Sequence, residues 1–275
     1  MTCLTTKDVA GIPHMWEEFD RRMGLMLKTD LITLAARAAG RSVELVRDGL
    51  AGRKLAVVPV SVGGGVIPGF VESVASIGWR LGMNAAVMNY SDGDGFKQAT
   101  DLGADFIISA DDNRYVARER VHGRLADNNP ATSSIFVSAL ELLCGGNLAD
   151  KEVVVLGMGV IGRGAAVRLV ELGAYPLIYD PDRRKATAAM GEITDGEMIN
   201  DSRELQKSLK RTNIIFDATP ILEALPPDLW PANPIVSAPG VPLSWPLEWM
   251  YPGARGRLWH DVLQSGTAAM LARLA

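Results

Sequence analysis

Two groups of residues in this chain combine types and spacing that suit chemistry. The first is Gly157, Gly159 and Gly162, a G-x-G-x-x-G set that follows the apolar run Val153 to Leu156. A helical pattern through Ala166, Leu169 and Val170 ends at Gly173, and a second apolar run, Leu177 to Tyr179, ends in Asp180. Strand, glycine turn, helix, strand and acid in this order form a dinucleotide-binding βαβ unit. Gly157 permits the tight turn, Gly159 lets the backbone approach a pyrophosphate, and Gly162 lets the helix lie close to the strand. Val160 and Ile161 stand at the helix start, whose free N–H groups and partial positive charge suit phosphate. Asp180 comes 18 residues after Gly162, where a carboxylate accepts hydrogen bonds from ribose hydroxyls and repels a 2′-phosphate. NAD is therefore the expected cofactor, although Arg183 and Arg184 keep NADP open.

The second group is polar and acidic. Asp111, Asp112 and Asn113 follow the apolar run Asp105 to Ser109. Paired acids at a strand end could hold an amine or steer a proton; the alternative is an Asx-turn capping a helix. Asp127, Asn128 and Asn129 before Pro130 read either as a turn or as amide contacts to a substrate. Ser61 with Gly63 to Gly65 suits an anion cradle of backbone N–H groups, or an ordinary flexible loop. The three histidines, His14, His122 and His260, have no metal-ligand spacing, so no metal is expected. His122 carries the most functional weight of the three because of its place between the domains. No nucleophile elbow or Walker loop is present.

These residues need elements to hold them. Val9, Ile12, Met15, Trp16, Phe19 and Met23 recur at helical spacing, with a stop at Gly24. Leu31 to Ala38 make a second helix ending at Gly40, and Ser42 caps a third. Strands at Leu55 to Val60, Asn84 to Met88 and Asp105 to Ser109 then alternate with helical stretches, which implies a parallel sheet. Residues 121–130 are polar and turn-rich, and an apolar helix over Ala131 to Leu143 ends at Cys144 to Asn147. Beyond Asp180, helices fall over Arg183 to Met190 and Ser202 to Lys210. Strands fall at Asn213 to Phe216, Ile235 to Ser237 and Arg257 to Trp259. Thr219 and Pro220 lie just past the first of these, where small residues leave room for the nicotinamide half of a dinucleotide. The expected fold is α/β with two domains. Residues 1–145 form an N-terminal helical plus α/β domain for substrate and catalysis, and residues 146–275 a C-terminal NAD-binding Rossmann domain. A last helix, 265–275, capped by Ser265, packs back on the junction. A substrate would meet the nicotinamide in a cleft between the domains.

Composition limits the partners. Of 275 residues 48% are apolar and 22% charged, with net charge −4, which suits a soluble globular protein with a large core. No Lys/Arg cluster with interleaved aromatics appears, so nucleic acid is not expected. No signal peptide or transmembrane run appears, so no membrane is expected and the cytoplasm is the default compartment. Cys3 and Cys144 form neither a metal set nor a disulfide framework. Apolar helices such as Ala131 to Leu143 leave a homodimer open.

The chain resembles the PylD family, the dehydrogenases of the last step of pyrrolysine biosynthesis. The likeness rests on VVPVSVGGGVIPGFVES (Val57 to Ser73), GADFIISADDN (Gly103 to Asn113) and GRLADNNPAT (Gly123 to Thr132). It continues through the glycine motif, IIFDATP (Ile214 to Pro220), VSAPGVPLS (Val236 to Ser244) and SGTAAML (Ser265 to Leu271). The resemblance implies a dipeptide-like small-molecule substrate, lysine acylated on its side-chain nitrogen by 3-methylornithine. It implies Asp111 as the catalytic residue, binding the reacting amine. Leu4, Ser61, Phe70, Asp112 and Asn128 would bind substrate, and Gly157, Gly159, Val160, Ile161, Gly162, Asp180, Thr219 and Pro220 would bind NAD. Val71 and Asp127 stand where the family pattern has serine and asparagine, and Pro68 and Gly69 replace a more polar pair. Two other readings compete: a related NAD(P)-dependent amino-acid dehydrogenase acting on a different amine or a folate-like substrate, and a non-catalytic NAD-binding protein.

Overall fold

Local signals set most of the N-terminal helices. In the computed structural model, which describes residues 4–62 and 66–275, helix α1 is Thr6–Val9 and α2 is Trp16–Leu27. A short 3-10 turn at Ile12–His14, with Pro13 inside it, separates them. Gly24 does not stop α2; the helix runs through it to Leu27 and ends at Lys28, whose φ is 55°. Helix α3, Leu31–Ala39, starts where the Asp30 carboxylate accepts the Thr33 N–H at 2.8 Å and ends at Gly40 in the left-handed region. Helix α4, Val43–Leu50, is capped by Ser42, which accepts the Leu45 N–H at 3.2 Å.

Contacts divide the chain into two units. The first comprises Met1–Arg21, Thr29–Ile135 and Val262–Ala275, the second Arg22–Lys28 and Phe136–Asp261. The division therefore falls after residue 135, where the sequence places it after 145, because the helix α7, Asn128–Leu143, contributes to both units.

The first unit is built on a five-stranded sheet: β1 (Lys54–Val57), β2 (Asn84–Val87), β3 (Phe106–Ala110), β4 (Tyr115–Glu119) and β5 (Leu125–Asp127), in the order β2-β1-β3-β4-β5. Only β2, β1 and β3 are parallel; β4 and β5 return antiparallel. The sequence predicts a parallel sheet and a turn-rich stretch at 121–130, and the hairpin corrects both. Its strands alternate buried Tyr115, Ala117 and Glu119 with more exposed residues, and that short pattern carries too few apolar residues to stand out. Helices α5 (Phe70–Arg80) and α6 (Asp92–Asp101) link the parallel strands. The last helix of the chain, α11 (Gln264–Leu274), packs on α3, α5, β4 and β5. Ser265 lies fully buried inside α11 and does not cap it.

The second unit is a six-stranded parallel sheet: β6 (Glu152–Leu156), β7 (Tyr175–Tyr179), β8 (Glu197–Met198), β9 (Ile214–Asp217), β10 (Ile235–Ser237) and β11 (Arg257–Trp259). The order β11-β10-β9-β6-β7-β8 is the doubly wound arrangement, with strand order reversing between β6 and β9. Helices α8 (Val160–Glu171), α9 (Arg183–Met190) and α10 (Ser202–Arg211) belong to it. Val154, Leu156, Leu177, Ile215, Val236 and Leu258 fill one core with Trp245 and Trp249. Continuous apolar strands of this kind are what a sheet covered on both faces requires.

Candidate functional site

In the second unit the chain leaves β6 through Gly157, whose φ is +85°, a conformation that favours glycine. A Cβ there would also come within 3.0 Å of Thr219 Cγ2. A Cβ on Gly162 would collide with the Gly157 carbonyl oxygen, so α8 can approach β6 only with glycine at this position. Gly159 is different: nothing lies within 4 Å of where its Cβ would be. That open face lies at the N-terminus of α8, which is the room and polarity a pyrophosphate needs. Val160 is exposed and Ile161 half-buried at the same helix start. A cavity of about 510 Å³ opens beside this turn, lined by Met158, Gly159, Val160, Arg163, Asp182 and Arg184.

Asp180 is buried and ties the end of β7 to the glycine turn. Its Oδ2 accepts the Met158 N–H at 2.7 Å and its Oδ1 the Asp182 N–H at 2.8 Å. Each oxygen has a second lone pair, so the carboxylate can still accept from a ribose hydroxyl. Asp182 lines the cavity, and its carboxylate receives Arg184 Nε at 3.1 Å and a terminal guanidinium nitrogen at 3.0 Å. This pairing holds the Asp182 carboxyl below its usual range. Thr219 sits against Gly157 and Pro220 is exposed beyond it. The residues present fit a dinucleotide: a glycine cradle, a helix N-terminus, an acid at the second strand end, and a cavity among them.

In the first unit Asp111 follows β3. Its Oδ1 accepts the N–H groups of Asn113 and Arg114, each at 2.7 Å. This is an Asx-turn, and it closes the β3–β4 hairpin where the sequence alternative has it cap a helix. The Arg114 and Asn113 N–H groups hold the Asp111 carboxyl below the ordinary carboxylate range. Asp112 and Asn113 are exposed on the same turn. Two residues on, Tyr115 is buried. Its ring meets Phe70 edge-on at 5.5 Å, and its hydroxyl is 2.7 Å from that of Thr267 on α11. Next to Thr267, Gly266 lies so close to α7 that a Cβ would be 2.7 Å from Asn128 Oδ1 and 2.6 Å from Thr132 Oγ1. Thr132 in turn donates to Asn128 Oδ1 at 3.2 Å. Phe70, Tyr115, Thr267, Gly266 and Asn128 thus form one continuous wall. Val57, Val74, Ile108 and Ala110 lie around Phe70 and Tyr115 on the buried side of β1 and β3.

Of the sequence-derived candidates, Phe70 and Asn128 stand at the two ends of this run, joined through Tyr115, Thr267 and Gly266, and Asp111 follows β3 four residues before Tyr115. Tyr115 and Thr267 escape a reading of sequence alone, although Tyr115 lies two residues past the ADDN block and Thr267 inside SGTAAML. Leu4 is half-buried and precedes α1, whose N-cap is Thr5. Gly69, with φ +86°, begins α5 against Ala10, and Ser73 donates to the Val9 carbonyl at 2.7 Å, so α5 and α1 are joined where the family pattern varies. Ser61 is exposed, its N–H donating to Asp92 at 3.0 Å; Gly63 to Gly65 lie outside the described residues. His122 pairs with Glu119 in the β4–β5 turn, and His260 Nδ1 lies 2.7 Å from the Ala238 carbonyl. Among the described residues no group of three or more His, Cys, Asp or Glu could hold a metal ion. Among them, too, no helix is long and apolar enough to cross a membrane.

The family model for the N-terminal domain of pyrrolysine biosynthesis protein PylD matches residues 14–126. A pyrrolysine synthase from Methanosarcina acetivorans is 34% identical over 224 residues, covering 79% of this chain and 81% of that protein. Another from Methanosarcina barkeri is 30% identical over 223 residues, covering 79% and 80%. Among solved structures, quinate dehydrogenase from Corynebacterium glutamicum in complex with NAD has a TM-score of 0.54 at 16% identity, over 82% of this chain and 93% of that one. Shikimate 5-dehydrogenase from Thermus thermophilus, in complex with NADP(H) and shikimate, has a TM-score of 0.53 at 19% identity, over 81% and 92%. At these identities the two structures establish a shared fold. The sequence relatives go further and place this chain in the pyrrolysine synthase (PylD) family.

Proposed function

We propose that this chain makes pyrrolysine by NAD-dependent oxidation of L-lysine-Nε-(3-methyl-D-ornithine) at the carbon bearing the terminal amine. The observation that carries this reading is the 34% identity with a pyrrolysine synthase over 224 residues. The wall of Phe70, Tyr115 and Asn128 beside Asp111 supports it.

The substrate amine arrives as an ammonium ion, and Asp111 is suited to receive it. The N–H groups of Arg114 and Asn113 favour the charged carboxylate, so Asp111 stays an anion at neutral pH. Such a carboxylate is a firm counter-ion and a weak base. It orients the amine and relays its proton to water, because only the neutral amine can release hydride from the adjacent carbon. Bound NAD supplies the hydride acceptor; the glycine turn and the start of α8 would hold its pyrophosphate, and Asp180 its ribose. Phe70 and Tyr115 would pack the aliphatic part of the methylornithine, with Asn128 meeting its polar groups. The oxidised carbon becomes an iminium. The ornithine α-amine of the same molecule adds to that carbon, ammonia leaves, and the C=N bond of the pyrroline ring remains. Counted from the ammonium form, one hydride goes to NAD, and two protons and one ammonia are released. Ring closure is favoured because both nitrogens are tethered to one short chain.

The test is to mix the protein with NAD and the synthetic isopeptide, following NADH absorbance and product mass together. NADH with a product of pyrrolysine mass is the expected result. Absence of reduction, with NAD binding measured separately, sinks the reading.

A further inference from the structure

The carboxyl edge of the second unit's sheet holds a buried acid that this chemistry does not use. Asp217 ends β9 and is 2% exposed. Its Oδ1 accepts the Thr219 N–H at 2.9 Å and the Thr219 hydroxyl at 2.6 Å, and its Oδ2 accepts the Trp245 indole N–H at 2.8 Å. Trp245 is itself fixed, stacked on Trp230 at 5.5 Å and packed on Trp249 at 5.7 Å. One side chain therefore anchors Thr219 by both of its donors and ties it to an aromatic cluster.

Thr219 is where three turns meet. Its methyl group presses on Gly157, the first glycine of the dinucleotide turn. Its carbonyl oxygen occupies the place where a Cβ on Gly240, beyond β10, would fall. The turns after β6, β9 and β10 thus converge on one residue. They do so at the point where strand order reverses, the place where doubly wound sheets bind their ligands. A shift of Thr219 would move the Gly157 turn on one side and the Gly240 turn on the other.

We propose that Asp217 is a positioning residue for the dinucleotide, setting through Thr219 the spacing of the three turns that seat it. This role rests on the NAD reading given above. It acts on cofactor affinity and not on the substrate wall of the first unit.

The experiment compares wild type, Asp217→Asn, Trp245→Phe and the double variant by calorimetric titration with NAD and with NADP, alongside melting curves and titration with the isopeptide. Asparagine has one acceptor oxygen. Aimed at Thr219, that oxygen leaves the amide N–H₂ facing the Trp245 N–H, donor against donor; Trp245→Phe removes the conflict. Asp217→Asn should weaken NAD binding about tenfold, as expected when a buried donor loses its acceptor. The double variant should return to within about twofold of Trp245→Phe, and isopeptide affinity should hold throughout. Should Asp217→Asn fail to fold, Thr219→Val, which loses only the hydroxyl bond, should still raise the NAD dissociation constant several-fold with melting near wild type. Unchanged NAD affinity in a folded variant overturns the role, as does failure of the double variant to recover. Parallel loss of NAD affinity, isopeptide affinity and melting temperature overturns it too, since that marks general destabilisation. A wild type that binds neither NAD nor NADP overturns the cofactor reading and this role with it.

Discussion

Tyr115→Phe removes one oxygen from the centre of the first unit and leaves every ring contact in place. The Phe70 edge at 5.5 Å survives, so the change isolates the Tyr115–Thr267 hydroxyl pair. Both residues are buried, and burial drives the Tyr115 phenol far above its usual range, so it is a neutral hydrogen-bonding group throughout the accessible pH range. The cost has two parts. The pair itself is worth about 1 kcal/mol, and a buried hydroxyl left without a partner costs about 1–3 kcal/mol. Thr267 has an escape, because it lies one helical turn after Leu263, whose carbonyl already accepts the Thr267 N–H at 3.1 Å. The low end follows: about 1–1.5 kcal/mol for Tyr115→Phe. Thr267→Val should cost about the same, and the double variant should cost less than the sum by about 1 kcal/mol, since no buried polar group is then orphaned. Urea unfolding followed by far-UV circular dichroism measures all four proteins at once. The isopeptide assay run beside it should show kcat/KM falling more than NAD affinity, because the pair joins β4 to the helix that abuts Asn128. Stability of Tyr115→Phe within about 0.3 kcal/mol of wild type, or strict additivity of the two changes, would refute the reasoning.

Three further outcomes follow from the same geometry. Asp111→Asn keeps an acceptor for the turn N–H groups but loses the charge that meets the ammonium, so turnover should fall at least about 100-fold with NAD affinity unchanged, read by steady-state kinetics and calorimetry. Gly162→Ala drives a methyl into the Gly157 carbonyl and should abolish measurable NAD binding while the isopeptide still binds. For Glu119, burial would raise the carboxyl, but the N–H groups of His122 and Val121, the His122 ring and Arg124 outweigh it and hold it at about 2. Because the folded value lies below the unfolded one, its contribution is complete above the ordinary carboxylate range and disappears as pH falls toward 2. The difference in urea midpoint between wild type and Glu119→Gln should accordingly be largest at pH 7 and close as pH falls to about 2.

The second unit was the more legible in sequence because its parts are local. Gly157, Gly162 and Asp180 lie within one βαβ stretch, and the spacing alone requires them to meet. The strands there are apolar on both faces, so runs such as Val153 to Leu156 stand out. The first unit hides more. The hairpin of Tyr115 to Asp127 has one short alternating face, and Glu119 inside it reads as a surface charge until four donors are seen around it. Ser265 looks like a cap because serine before a helical run often is one; it is buried because α11 is enclosed by elements more than a hundred residues earlier in the chain. Thr267 was illegible for the same reason, since its partner lies 152 residues away. Asp111 shows the limit from the other side. Sequence offered both a turn and an amine site, and the geometry makes the turn while leaving the carboxylate charged, so the two uses are compatible.

The first unit is discontinuous, and that has a consequence for how the chain is made. Residues 29–135 leave the ribosome early, yet the helix they enclose, Gln264–Leu274, is synthesised well over a hundred residues later. Until it arrives, the faces of α3, α5 and β4 that will cover it have no apolar partner, and Tyr115 has no hydroxyl to meet. The second unit's central sheet, all of it between residues 152 and 259, can close first. The order of synthesis is thus the reverse of the order of completion: the domain begun first is finished last, and the nascent chain must keep its early half from associating with neighbours while the later half folds.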